Sequence, residues 1–157
     1  MIRTIVPADT PLLVPLAEQT GVFKPLEIKA LREVLDDYHA GNRALGHRAI
    51  AATRADEVLG FAYYAPATMT DRTWYLWWIA VAKSAQAKGI GSELLRFAEE
   101  QIRSLRGRML LVETSSLPNY ELTRRFYIKH GYTQAAVLAD FYAAGDDMVV
   151  FCKRFDG

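Results

Sequence analysis

The spacing of hydrophobic and polar positions changes several times along the chain, and each change predicts an element. Residues 1–6 read as a short strand. Asp9-Thr10-Pro11 puts a capping side chain and an early proline at a helix start, and that helix runs to about Gly21. After Lys24-Pro25, residues Ile28, Leu31, Leu35 and Tyr38 recur on one helical face as far as Gly41. Residues 47–54 and 58–65 are β-rich runs around Ala55-Asp56-Glu57, the pattern of a hairpin. Residues 74–81 are apolar at both parities, which predicts a strand covered on both faces. From Ile90 to about Leu105, a helical stripe of Leu94, Leu95, Ala98, Ile102 and Leu105 stands opposite Glu93, Arg96, Glu99, Glu100 and Arg103, and Gly107 ends it. Residues 109–115 form a strand and 118–130 a helix stopped by Gly131. Residues 135–142 and 147–155 flank Gly145-Asp146 as a last hairpin. The order β-α-α-β-β-β-α-β-α-β-β predicts an α/β fold, a mixed sheet with helices on both faces, in one domain spanning residues 1–157.

Composition narrows the class. A chain of 157 residues with 51% apolar content can bury a real core. A formal net charge of +1 argues against a surface built mainly for nucleic acid. Cys152 stands alone, so no internal disulfide and no thiolate metal cluster is expected, and the implied compartment is reducing. The first residues lead quickly to Pro7 and Asp9 without a signal-peptide apolar core, and the run at 74–82 is far shorter than the roughly 20 residues of a membrane helix. The expectation is a cytoplasmic protein without a membrane partner.

The candidate chemistry begins where the apolar run Trp74-Tyr75-Leu76-Trp77-Trp78-Ile79-Ala80-Val81 gives way to Gln86-Ala87-Lys88-Gly89-Ile90-Gly91-Ser92 and then to a helix. A strand, an amide-lined loop and a helix N-terminus together hold anions, because the first helical N–H groups lack partners and the helix dipole favours negative charge there. A phosphate-bearing ligand is the natural guest. A Walker loop fits poorly because its spacing is absent, and a Rossmann fingerprint fits poorly because Leu94 stands at its third glycine position.

This junction, the element order and the run Phe126-Tyr127-Ile128-Lys129-His130-Gly131-Tyr132 resemble the GCN5-related N-acetyltransferase (GNAT) superfamily. That family's cofactor motif is Gln/Arg-x-x-Gly-x-Gly/Ala after a strand ending in valine, and its second signature is an aromatic-tyrosine pair in the last helix. The resemblance implies a mostly antiparallel sheet of the acyl-coenzyme A N-acyltransferase type, acetyl-coenzyme A as co-substrate without a metal, an amine acceptor, and a homodimer as one outcome. It places the pyrophosphate on the amides of Ala87, Lys88, Gly89, Ile90, Gly91 and Ser92, with Gln86 opening the motif as a further cofactor-binding residue. The pantetheine arm would lie along the strand Ile79-Ala80-Val81 and pair like an extra strand with the backbone of Ile79 and Val81. A backbone N–H near Ile79, where the family's strand carries a bulge, would hold the oxyanion.

Acetyl transfer needs a neutral amine and a protonated leaving thiolate. Tyr127 matches the family's acid, and a tyrosine near its reference pKa of ~10 is protonated at neutral pH. Glu113 matches the proton-accepting glutamate of bacterial ribosomal-protein alanine acetyltransferases, although the segment from Glu113 to Tyr127 is two residues longer here. The other reading of Glu113 is a structural acceptor at a sheet split. Asn119 either caps the last helix or bonds the pantetheine arm. Where the family often carries an acid on the central strand, Trp77 and Trp78 stand instead. His39, His47 and His130 read as structural or solvated, Lys88 as a solvated loop lysine, and Asp146 as a turn residue. Asp140 and Tyr142 resemble residues on the acceptor side of the family's final hairpin. Phe23, Lys24, Tyr38, Tyr63, Tyr64 and Tyr142 are the candidates for an acceptor pocket. A small amine, an amino acid and a peptide N-terminus all remain open as acceptors. A non-catalytic acyl-coenzyme A sensor and a nucleotide-binding module are the competing classes.

Overall fold

Two apolar sets along the strands, one on each parity, force helices onto both sides of one sheet. The computed structural model describes residues 1–155. The elements are β1 (Ile2–Thr4), α1 (Thr10–Gln19), α2 (Pro25–Ala40), β2 (Arg48–Arg54), β3 (Glu57–Pro66), β4 (Thr73–Val81), α3 (Ile90–Ser104), β5 (Met109–Ser115), α4 (Glu121–Lys129), β6 (Thr133–Ala143) and β7 (Asp146–Arg154). The seven strands lie in the order β1-β2-β3-β4-β5-β7-β6, and all neighbours are antiparallel except β4 and β5. On β2, Ala49 and Ala51 face a core with Leu13, Leu31, Leu35 and Tyr38 of α1 and α2. Ile50 and Ala52 face the opposite core with Leu94, Leu95 and Ile102 of α3 and Tyr127 of α4. The predicted α/β architecture is the observed one.

Several local readings change. Asp9 does not cap α1. It is buried, takes both guanidinium nitrogens of Arg3 at 2.7 and 2.9 Å, and accepts the Val6 N–H at 2.8 Å. The predicted helix at 118–130 starts instead as a 3₁₀ turn over Pro118–Tyr120, and its α-helical part begins at Glu121. Leu105 is left exposed at the end of α3. Glu99, read as part of the polar face of α3, is buried. It accepts the Tyr132 hydroxyl at 2.7 Å and the Lys153 ammonium at 3.2 Å, and Lys153 also donates to the His130 carbonyl at 2.9 Å. This network ties α3 to β7 and to the end of α4. Removing one partner of a buried ion pair leaves the others unsatisfied. Glu99→Ala is therefore expected to cost about 3 kcal/mol and to lower Tm by roughly 6–12 °C in thermal denaturation. Glu99→Gln, which still accepts the Tyr132 hydroxyl, should lose less.

Candidate active site

The site is opened by one irregularity in β4. Tyr63 pairs with Trp78 and Tyr64 with Leu76, so Trp77 is an extra residue in the ladder. The bulge lies at Trp77, two residues before the position near Ile79 that the resemblance implied. A bulge twists its strand and turns neighbouring side chains the same way. Trp77 accordingly stacks on Tyr63 at 5.3 Å, while Trp78 packs on Phe23 at 5.2 Å, both on the α1–α2 side of the sheet. Trp77 is 44% exposed, so β4 is not covered on both faces as its unbroken apolar run predicted. A run apolar at both parities hides such a slip.

Beyond the bulge, β4 leaves β5. The two strands pair only from Thr73↔Met109 to Leu76↔Val112. Past that point they diverge around a cleft of about 1330 Å³ lined by both strands, α4 and the loop before α3. The Ala82 N–H donates to Leu59 on β3 at 2.7 Å. Alternation along an extended chain then turns Ala80 toward β3, and turns the backbone groups of Ile79 and Val81 into the gap. Ala80, between them, thus offers no free backbone group.

At one end of the cleft the chain turns into α3. Gln86 ties the loop back by donating its side-chain amide to the Val81 carbonyl at 3.3 Å. Ala87 and Gly89 take positive φ, 67° and 80°, and Gly89 supplies the left-handed turn into the helix without strain. Gly60 allows the close approach behind it, because a Cβ there would meet the Ala80 carbonyl oxygen at 2.8 Å. The first helical bond is Glu93 N–H to Gly89 O, which leaves the amides of Ile90, Gly91 and Ser92 without a carbonyl one turn back. A Cβ at Gly91 would make only ordinary contacts, 3.5 Å to Phe126 and 3.6 Å to Val81, so the motif's Gly/Ala choice fits the space. Lys88 is exposed. The Ser92 hydroxyl sits 2.8 Å from His130 Nε2, so its amide rather than its hydroxyl is open to a ligand. Unpartnered amides at a dipole's positive end fit a diphosphate, and the outward backbone of Ile79 with the N–H of Val81, whose carbonyl is held by Gln86, fits an extended amide-bearing arm.

Tyr127 of α4 lines the cleft and is almost fully buried. Among the described residues its hydroxyl has no hydrogen-bond partner. Burial, and secondarily the neighbouring Tyr120, pushes its phenol above the ordinary tyrosine value, so it is protonated throughout the neutral range. Glu113 lies on β5 just past the last β4–β5 pair, exposed to the cleft. Burial and the negative field of Glu113, Glu27 and Asp146 push the Tyr142 phenol up to about 12.

The remaining candidates divide. Tyr38, Tyr63 and Tyr64 are core, whereas Phe23 and Tyr142 line the cleft. Asn119 does not cap α4; it is exposed and its amide reaches the Val22 carbonyl at 3.4 Å. Asp140 accepts the Gly145 N–H at 2.8 Å and so shapes its own turn. Asp146 is not a turn residue in function. It is buried and accepts Lys24 at 2.8 Å and the Ser115 hydroxyl. Burial opposes its charge, but these donors outweigh burial and hold its carboxyl below the usual range. His47 meets the Tyr63 hydroxyl at 2.7 Å, and burial lowers its pKa. Two cleft residues escaped the sequence reading. Glu27 is half-buried and accepts the Lys24 N–H at 2.9 Å and, at 3.4 Å, the hydroxyl of buried Tyr120. Glu27 was findable as the acid three residues after a helix start; Tyr120 carries no such signal.

Known proteins share this fold. The acetyltransferase (GNAT) domain model matches residues 46–134, more than half of the chain, and the chain belongs to that family. A GNAT-family protein from Desulfovibrio desulfuricans superposes with a TM-score of 0.93 at 37% identity, covering 98% of each chain. An uncharacterized N-acetyltransferase of Methanocaldococcus jannaschii is 30% identical over 76 residues. That match takes in 48% of each protein, so this chain spans about half the length of the curated relative. An aminoglycoside 6′-N-acetyltransferase solved with coenzyme A shares the fold, with a TM-score of 0.78 at 20% identity over 98% of this chain and 96% of that one. Among the described residues no cluster of three or more His, Cys, Asp or Glu is arranged to hold a metal, and no helix is long and apolar enough to cross a membrane.

Proposed function

We propose that residues 1–157 form one N-acetyltransferase domain that moves an acetyl group from acetyl-coenzyme A to a primary amine, by direct attack with both substrates bound. One observation carries the reading: a gap between β4 and β5 runs from unpartnered amides at the α3 N-terminus to a protonated tyrosine without a hydrogen-bond partner among the described residues. The coenzyme, when bound, supplies the acetyl group as an activated thioester. The amides from Ala87 to Ser92 grip its diphosphate, and the backbone of Ile79 and Val81 orients its arm. The Ile79 N–H, turned into the gap, would stabilise the oxygen that gains charge during attack. Tyr127 holds the proton that the departing sulfur needs. Glu113, exposed to solvent, takes the proton of the amine through water.

The test is an acetylation assay over a panel of small amines, amino acids and peptides, read by release of free thiol. Turnover on at least one class is the expected result. Tight coenzyme binding without turnover on any class would establish the sensor reading instead. Glu113→Gln should lower kcat by about 10²-fold if the carboxylate accepts the proton. A change within twofold would return Glu113 to a structural role at the sheet split.

A further inference from the structure

The cleft is electrically polarised along its length. Among the described residues that line it, the acids are Glu27 and Glu113 and the one lysine is Lys129. Lys129 neighbours His130, which meets Ser92 of α3, so the positive charge stands with the unpartnered amides at the anion-binding end. The acids stand at the other end, where Glu113 and Glu27 act together on Tyr142. Among the described residues that line this end, no free cation balances them. The Lys24 ammonium is committed to Asp146 at 2.8 Å, and His47, against Tyr63 with its pKa lowered by burial, is uncharged at neutral pH. The walls of this end are aromatic: Phe23 against Trp78, Trp77 on Tyr63, and Tyr142.

Carboxylates among aromatic faces recognise a cation with an apolar body, through charge-assisted hydrogen bonds and ring quadrupoles. The same field repels an acceptor that carries its own carboxylate beside the nitrogen. We propose that the acceptor is a cationic amine on an apolar or aromatic body without a neighbouring carboxylate, and that Glu27 is the residue that selects it. This rests on the acetyltransferase reading and narrows its acceptor from amines in general to one charge class. Glu27 suits the role because its carboxylate is fixed from two sides, by the Lys24 N–H and the Tyr120 hydroxyl, and Tyr120 in turn adjoins Tyr127. The selecting charge is thereby linked in space to the acid side of the reaction.

Calorimetric titration into the protein saturated with coenzyme A tests this, using 2-phenylethylamine, phenylalanine and 2-phenylethanol as probes. The amine is expected to bind at least about tenfold more tightly than either of the others, the scale of one hydrogen bond to a charged group. Glu27→Gln, which keeps an acceptor for the Lys24 N–H, should bring the amine to the level of the alcohol and leave coenzyme A affinity unchanged. A second readout needs no variant: raising ionic strength from about 0.05 to 0.5 M should shrink the preference for amine over alcohol. Coenzyme A that binds while the three probes bind alike, or a preference that survives Glu27→Gln, overturns this proposal alone. Coenzyme A that does not bind overturns the acetyltransferase reading beneath it.

Discussion

Tyr127→Phe is expected to lower kcat by roughly 10²- to 10³-fold, the range of a lost general acid, with coenzyme A affinity held within about twofold. Stability should be unchanged, because among the described residues the hydroxyl has no hydrogen bond to lose, and the ring keeps its contacts with Tyr132 and Phe151. The wild-type pH profile should agree. A phenol pushed above its ordinary value by burial keeps its proton as the solution becomes alkaline. Tyr127 therefore imposes no falling limb on kcat below about pH 10, the reference value for the group. Stopped-flow thiol release and calorimetry on the variant measure both quantities. A kcat within threefold of wild type would remove Tyr127 from the chemistry and leave it as core.

The second large effect separates binding from folding by giving them opposite signs. Gly91 is the second residue of α3, and a Cβ there has room. Gly91→Asp puts a carboxylate among the free amides of the first turn, where it favours the helix by about 0.5 kcal/mol through the dipole. The same carboxylate occupies and repels the seat proposed for the diphosphate. Coenzyme A affinity should fall at least about 100-fold, from lost amide contacts and like charge. The unliganded protein should melt no lower than wild type. Gly91→Ala adds only a methyl and should bind within about threefold, a small steric change. Thermal denaturation with and without coenzyme A reads both. Unchanged affinity in Gly91→Asp would move the anion site away from α3.

Much of this architecture was legible because local patterns carried it. The change from an unbroken apolar run to a helical period of 3.6 around Gln86–Ser92 marked both the strand end and the helix start, and the unpaired amides follow from that junction alone. What stayed hidden depends on contacts distant in sequence. Asp146 reads locally as turn chemistry, but its partner Lys24 lies 122 residues away. Glu27 and Tyr120 meet across 93 residues. Glu99 falls on the polar face by count, yet it lies one helical turn from Leu95 at the border of the apolar stripe, and Lys153 and Tyr132 arrive from β7 and the turn after α4. The bulge at Trp77 is invisible for another reason. Alternation locates a slip only when polar residues mark one face, and residues 74–81 have no polar face to mark.

The early parting of β4 and β5 leaves the sheet as two ribbons, β1 to β4 and β5 to β6, stitched only along the short hem from Thr73 to Leu76. A guest whose own amides bridge Ile79 and Val81 to the far wall would lengthen that seam from the outside. The protein would then borrow part of its cohesion from what it carries, and its breathing motions would quieten with each loading and return with each release.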